Sequence, residues 1–321
     1  MSETSSEPLD LAIVIVNYAT SDLLRACLDS VFASTGGLRM GVCVVDNASP
    51  DDSVEMVKRS FPQVSLIANE ENAGYPRANN QGLRQFGFGT TMATMTEMEQ
   101  LPRFALLLNP DTVLPSDALS QMLFFMQSHP DAGVAGPKLV RLDGTLDKAC
   151  RRSFPTPEVS LWHFLKLDKL FPRSPRFGRY NLSYLDPDVV TPVDAVVGAF
   201  MLVRREAIVQ AGLLDESFWM YGEDLDWAKR ITDAGWSVWY NPAVTVLHIK
   251  EAASQHSYRA RVEFYRAMTV FYEKHYRART SWWLDLAIRG GIAGLGGLDL
   301  LSRRLRGSHL AGARSWGEAE R

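Results

Sequence analysis

Apolar residues in the first third of the chain come in short, largely unbroken runs. Leu11 to Val16 is one, Val42 to Val45 a second and Val64 to Ala68 a third. Runs this short, rich in β-branched residues, fit strands buried on both faces of a parallel sheet. Between the first two, Leu24, Cys27, Leu28 and Val31 recur at helical spacing. Thr20 or Ser21 can cap that helix, and Gly36-Gly37 ends it. Ser53 to Phe61 reads as a second, shorter helix. The alternation strand-helix-strand-helix-strand implies a doubly wound sheet with right-handed crossovers.

A fourth strand is expected over residues 104–108, where the apolar run stops at Asn109-Pro110 and Asp111 follows at once. Proline cannot continue a central ladder, and Asn-Pro favours a turn. Asp111 therefore falls just past the strand's carboxyl end, the edge at which open α/β sheets bind ligands. An acid there either faces a ligand or caps the next helix. The two earlier strands end on polar residues as well, Asn17-Tyr18 and Asp46-Asn47. An acid closing the second strand suits a nucleotide's ribose or base edge. The first turn has neither GxGxxG nor GxxxxGK[ST], which argues against a dinucleotide fingerprint and a P-loop. Phosphates would have to be held elsewhere. After the third strand come Asn72, Gly74, Pro76, Arg77 and Asn80. Gly74 permits a tight turn and Pro76 fits the first position of a helix. A helix N-terminus with Arg77 beside it is a diphosphate site, or else an Asn-rich turn with a surface arginine.

Later in the chain, Glu223-Asp224-Leu225-Asp226 precedes an expected helix over Trp227 to Ala234, closed near Gly235. Acids at a helix start also favour its dipole. His248 follows the apolar run Val244 to Leu247, so it ends another strand as a metal ligand or a structural histidine. Thr90 to Arg103 reads as an insertion with Met92, Met95 and Met98 on one face of a short helix. Arg151 to Pro192, rich in proline and arginine, reads as a long loop with a short helix, a lid between two halves.

Composition is that of a soluble globular chain of 321 residues, 46% hydrophobic and 22% charged. A net charge of −3 gives no bulk attraction to nucleic acid. Cys27, Cys43 and Cys150 have no CxxC spacing and read as reduced thiols in a cytosolic protein. Residues 1–9 are polar and acidic, an expected disordered tail. Charge is uneven: residues 256–306 hold ten Lys/Arg and four Asp/Glu. Tyr258, Val262, Tyr265, Met268 and Tyr272 recur three or four apart, the mark of a helix. Trp282 to Leu301 is apolar enough to invite a transmembrane reading, but Asp285, Arg289 and Asp299 oppose it, at about 2.5–3.5 kcal/mol each at a bilayer centre. The segment fits an interfacial one, with Trp282 and Trp283 at headgroup level and Arg303, Arg304 and Arg306 toward anionic lipid. Packing of these aromatics on the catalytic domain is the alternative.

Five ordered blocks resemble the family 2 glycosyltransferases. They are Val45-Asp46-Asn47-Ala48-Ser49, Asn72-Ala73-Gly74 with Asn80 and Gly82, Leu106-Leu107-Leu108-Asn109-Pro110-Asp111, Gly198 to Arg205, and Phe218 to Trp227. The resemblance covers residues 10–250 and is nearest to rhamnosyltransferase-like enzymes. It implies a GT-A fold, a Rossmann-like mostly parallel sheet flanked by helices, here with a helical C-terminal extension. It implies inverting transfer of a sugar from a nucleotide-diphosphate donor, with dTDP-rhamnose expected, to a glycan or polyprenyl-linked acceptor in cell-wall or surface polysaccharide synthesis. Asp46 matches the acid on the nucleoside, and Asp111 the last acid of the DxD motif that holds Mg2+ or Mn2+. Asp224 matches the catalytic base beside Glu223, and His248 a late metal-proximal histidine. Asn109 stands where DxD has its first acid, which weakens the metal expectation. A donor site is thus expected at Asn17, Tyr18, Asp46, Asn72, Gly74, Arg77, Asn80, Asn109 and Asp111. The acceptor side is expected at Gly198, Ala199, Trp219, Tyr221 and Asp226.

Independent chemistry agrees with those roles. A hard cation offsets charge on a departing diphosphate, and Mg2+ takes only one or two protein carboxylates with phosphate oxygens. An acceptor hydroxyl loses its proton as it attacks, and a nearby carboxylate can take it. The expected organisation is a catalytic domain over 10–255, its donor half about 10–115 and its acceptor half about 116–255. A basic aromatic helical extension follows over 256–306, then a flexible tail over 307–321. The expected location is cytoplasmic and peripheral at the inner face of the cell membrane, with an anionic membrane surface as partner, no nucleic acid, and homodimerisation left open. Alternatives are a UDP-hexose or galactofuranose transferase, a sugar nucleotidyltransferase, or a catalytically silent sugar-binding module.

Overall fold

A computed structural model describes residues 8–90, 94–249, 258–297 and 299. The chain divides into a large unit, 1–219 with 223–251, and a smaller one, 220–222 with 252–321.

The large unit begins with β1 (Leu11–Asn17), α1 (Ser21–Phe32), β2 (Met40–Asp46), α2 (Ser53–Ser60), β3 (Ser65–Ala68) and α3 (Tyr75–Gln85). The apolar runs form these strands because both their faces are covered. Ile13 and Ile15 of β1 are fully buried, each contributing ~1.5–3 kcal/mol of burial. They share one core with Leu24 and Leu28 of α1. A short α4 (Met95–Glu99), capped by Thr94, leads to β4 (Phe104–Leu108). Of the expected methionine face, Met92 and the Met95 side chain lie outside the described residues. Then come β5 (Thr112–Val113), α5 (Ala118–Ser128), β6 (Ala132–Val140), α6 (Pro157–Phe164), α7 (Leu167–Leu170), β7 (Thr191–Val193), β8 (Phe200–Arg204), α8 (Arg205–Ala211), α9 (Glu223–Asp233) and β9 (Ser237–His248).

The described strands form one sheet in the order β3-β2-β1-β4-β8-β6-β9-β5, with β7 on β9. From β3 to β4 every pair is parallel. The parallel character ends there, because β8 runs antiparallel to both β4 and β6. This is a mixed sheet of the kind expected, though its second half is less parallel than the opening runs suggest. Two expectations shift in extent. The α9 helix starts at Glu223, four residues before the expected Trp227, so the acids form its first turn. Strand β9 starts at Ser237 and runs past Pro242, where its pairing with β6 slips from Pro137↔Asn241 to Lys138↔Thr245. That irregularity accommodates a residue with no N–H. All three cysteines are free and buried, and burial pushes Cys43 and Cys150 up to about 11.

The smaller unit contains α10 (Tyr258–His275) and a further helix, α11, over residues 282–297. Glycines do not prevent α11, and at Gly296 a Cβ would sit 3.1 Å from the Tyr265 ring of α10. The Tyr272 hydroxyl donates to Asp285 at 3.1 Å, so one charge that opposes a membrane span is used inside this unit. No helix among the described residues is long and apolar enough to cross a membrane. Arg303, Arg304 and Arg306 lie outside the described residues.

Candidate functional site

The parallel register sets Asn17 at the end of β1 beside Asp46 at the end of β2. Asp46 is buried and its oxygens are occupied. Oδ1 accepts from Asn17 Nδ2 at 2.8 Å and Ser49 Oγ at 2.6 Å, and Oδ2 accepts from the Ser49 amide at 2.9 Å. Asn17 is fully buried and its Oδ1 takes the Thr20 hydroxyl at 2.7 Å. It holds Asp46 in place at the end of the sheet. Tyr18 is exposed at the same rim. Asn47 ties that rim to the Gly74 carbonyl at 3.3 Å.

Gly74 has φ +84°, and a Cβ there would come 2.6 Å from the Trp219 carbonyl oxygen. That close approach and the left-handed backbone both call for glycine. Asn72 accepts the Gly74 amide at 3.0 Å, and the Tyr75 amide donates to the Trp219 carbonyl at 2.8 Å. The N-terminus of α3 therefore sits on the loop before α9, with Arg77 exposed in its first turn. Asn80 does not reach the rim. It is buried, gives Nδ2 to the Leu214 carbonyl and Glu216, and accepts the Leu214 amide, a strut between α3 and the 214–216 loop.

β5 pairs with β9 so that Thr112 lies opposite His248. The Ile249 amide donates to the Asp111 carbonyl at 2.9 Å. His248 Nε2 then lies 3.3 Å from Asp111 Oδ1, an enclosed oxygen without an aligned hydrogen-bond partner. On the other side of the ring, Nδ1 lies 2.8 Å from Asp147 Oδ2. Burial disfavours the charged imidazole, but hydrogen bonds and charge from Asp111 and Asp147 outweigh it and push His248 up to about 9. Among the described residues no three His, Cys, Asp or Glu side chains alone make a metal cage. Once the imidazole is neutral, Asp111 Oδ1 and His248 Nε2 side by side fit a cation whose remaining ligands are phosphate oxygens and water.

At α9, Asp224 Oδ2 meets Arg152 Nη2 at 2.6 Å, both side chains buried, and accepts the Gly198 amide at 3.2 Å. Asp224 Oδ1 accepts the Leu225 amide at 2.7 Å. Glu223 is buried with Oε2 unpartnered. Burial first, then the charge of Asp224, push Glu223 up to about 8. The Tyr75 hydroxyl joins the two edges, lying 3.1 Å from Asn109 Oδ1 and 3.0 Å from the Gly198 carbonyl. Burial and the nearby charges of Glu223, Asp224 and Asp111 raise the Tyr75 pKa.

Asp226 is fully buried and its Oδ2 takes Arg230 Nε at 2.9 Å, because the i,i+4 spacing of α9 sets that arginine over it. Its ion pair ties it to its own helix. Ala199 is buried, with its carbonyl accepting the Asn109 amide at 3.0 Å. Trp219 contributes its carbonyl to the Gly74 turn, and Tyr221, at φ +68°, belongs to the smaller unit. Sequence reasoning missed Tyr75, Asp147 and Arg152. The one available signal was a basic pair, Arg151-Arg152, inside a segment read as a loop.

Residues 12–208 match the family described as Glycosyl transferase family 2. The chain is 28% identical to an N-acetylglucosaminyl-diphospho-decaprenol L-rhamnosyltransferase of Mycobacterium tuberculosis, over 88% of this chain and 90% of that one. It is 40% identical to rhamnosyltransferase WbbL of Escherichia coli, over 74% of this chain and 82% of that one. A solved structure of GalNAc-T7 with UDP, GalNAc and Mn2+ superposes at TM-score 0.56 and 15% identity, covering 84% of this chain and 48% of that one. At that identity the likeness speaks for the fold alone.

Proposed function

The chain belongs to glycosyl transferase family 2, and from that premise we propose that it moves rhamnose from dTDP-rhamnose to a sugar on a polyprenyl diphosphate, with inversion. That the chain is a glycosyltransferase of GT-A fold follows from the family. The named sugar and acceptor rest on the relatives' names. One observation carries the site reading. The Tyr75 hydroxyl shares its one hydrogen between Asn109 Oδ1, two residues before Asp111, and the carbonyl of Gly198, whose amide bonds Asp224. The loop carrying the carboxylate suited to a donor diphosphate thus lies, through Tyr75, beside the residue whose amide holds the carboxylate suited to an acceptor hydroxyl.

In this reading Asp46, rigidly held, meets the nucleoside, and Arg77 with the α3 N-terminus faces the diphosphate. Asp111 and His248 would hold Mg2+ or Mn2+, which supplies charge neutralisation for the departing nucleotide diphosphate. Asp147 fixes the His248 ring. Asp224 is the base. A carboxylate has about four lone-pair sites. Three are taken by Arg152, Gly198 and Leu225, and the one left on Oδ1 receives the acceptor proton. A second reading makes Glu223 the base, favoured by its unpartnered Oε2 and by a pKa near the working range.

Membrane docking of the smaller unit belongs to the same proposal. Trp282 is 79% exposed, Trp283 59% and Leu286 68%, all on α11. Such a face suits the inner membrane surface that carries a lipid-linked acceptor. Equal recovery of the full chain and of a chain ending at Arg279 in liposome flotation would remove this part. The main test is a panel of dTDP-, UDP- and GDP-sugars assayed for hydrolysis and transfer. Preferred turnover of dTDP-rhamnose is expected, and preference for a UDP-hexose overturns the donor assignment.

A further inference from the structure

The segment between Lys148 and Tyr180 holds eight Lys/Arg against two Asp/Glu. It folds around a cavity of about 410 Å³ lined by Lys148, His163, Asp168, Lys169, Asn181 and Ser183. That volume falls in the range of small-molecule sites, roughly 300–1,000 Å³. Asp168 is 9% exposed, yet its Oδ1 has no hydrogen-bond partner. Its other oxygen lies 2.9 Å from His163 Nδ1. A buried acceptor oxygen left without a donor is costly unless a ligand completes it.

The cavity adjoins the site at two points. Lys148 follows Asp147, the partner of His248. The His163 ring lies tilted against Tyr180 with centroids 4.7 Å apart, and the Tyr180 carbonyl accepts the amide of Ser153, which follows Arg152, the partner of Asp224. Around the cavity, apolar side chains face water: Leu161 is 49% exposed, Leu165 56%, Leu170 67% and Phe171 48%.

Resting on the glycosyl-transfer reading above, we infer that this cavity binds the acceptor's glycosyl diphosphate, with the isoprenoid chain leaving over Leu161, Leu165, Leu170 and Phe171. Each part of such a molecule has a counterpart. The ammonium groups of Lys148 and Lys169 match a diphosphate. The Asp168 carboxylate on the cavity wall, its enclosed Oδ1 unpartnered, matches a sugar hydroxyl or acetamido N–H. The exposed leucines match a hydrocarbon chain beside a cationic headgroup site, as at a membrane interface. A free anion accounts for the lysines alone, and a hydrocarbon for the leucines alone.

The test is calorimetric titration of the full chain with N-acetylglucosaminyl diphosphate citronellyl ester, in saturating dTDP and Mg2+ so that the donor side is filled. The wild type is expected to bind it. Lys148→Ala/Lys169→Ala, changing two exposed side chains, is expected to weaken binding at least tenfold with an unaltered melting temperature. Asp168→Asn, which replaces one carboxylate oxygen by a donor NH2 and removes the charge, is expected to weaken the ester more than inorganic pyrophosphate. No binding by the wild type, or unchanged binding by the double variant, overturns the assignment. So does pyrophosphate binding as tightly as the ester, since the sugar and chain then contribute nothing. Wild-type hydrolysis of nucleotide-sugars is read in parallel. Its absence counts against glycosyl transfer itself, whereas hydrolysis without ester binding counts against the cavity alone.

Discussion

The end of β2 and the start of α9 treat their carboxylates in opposite ways. Asp46 is held by Asn17 and by both the amide and hydroxyl of Ser49, all neutral donors from two adjacent elements. Asp224 leans on a buried arginine 72 residues away, and its neighbour Glu223 keeps one oxygen enclosed with no partner. The first arrangement is complete before any substrate arrives and suits recognition of an unchanging part, the nucleoside. The second is unfinished, as are Asp111 Oδ1 and Asp168 Oδ1. Polar atoms left open inside a folded chain cluster where a ligand completes them, and stability is given up there for function.

The largest expected effect is on turnover. Asp224→Asn keeps shape but cannot take a proton, so kcat should fall about 10²–10⁴-fold. Donor affinity, measured by calorimetry, should stay near wild type. If Glu223→Gln lowers kcat more than Asp224→Asn does, the base is Glu223 and the second reading holds.

Next comes the contrast in how the two acids are held. Arg152→Met leaves Asp224 buried beside no cation, a change that typically destabilises by about 3–5 kcal/mol. Asn17→Ala removes one neutral donor from Asp46 while Ser49 remains, for about 1–3 kcal/mol. Urea denaturation of both variants checks the ranking. An Asn17→Ala effect equal to that of Arg152→Met would mean the two sites do not differ as described.

A third expectation concerns the edge between them. Asp147→Asn loosens the grip on His248 and should weaken Mn2+ binding about 10–100-fold in the presence of nucleotide. Asp111→Ala should weaken it further, because it removes the open oxygen itself. Electron paramagnetic resonance of Mn2+ with dTDP reads both without turnover. Unchanged Mn2+ binding in Asp111→Ala removes that residue from the cation site.

Much of the donor half was legible in sequence because its strands are short, largely apolar runs, and because each ends on or is followed at once by a polar residue: Asn17, Asp46, Asn69 and Asn109. What those polar residues do was less legible. Asn17, Asn80 and Asp226 carry the same local signal whether the side chain meets a ligand or another part of the chain, and here each meets the chain. Arg152, Asp147 and Tyr75 were invisible for a related reason. Their partners lie 72, 101 and 123 residues away, at distances where no spacing pattern survives. The cavity over 148–183 was hidden because proline and arginine mark a loop without saying what it encloses.

The smallest expected effect tests the unfinished character of α9 directly. The folded chain pushes Glu223 up to about 8 from an ordinary value of 4.5, through burial and the charge of Asp224. Between those values the unfolded chain has released this proton and the folded chain still holds it. The folded state then binds more protons, so this group's contribution to stability is full below about pH 4.5 and is lost as pH rises through about 8. Glu223→Gln has no proton to release and removes that decline. Relative to wild type, the variant should gain at least about 1 kcal/mol between pH 5.5 and pH 8.5, the worth of roughly one pKa unit. Urea midpoints at the two pH values measure it. A difference between variant and wild type that is the same at both would show that Glu223 gives up its proton as readily in the folded chain as in the unfolded one. The acid pair on α9 would then be as settled as Asp46, and the contrast between the two ends of the sheet would rest on Arg152 alone.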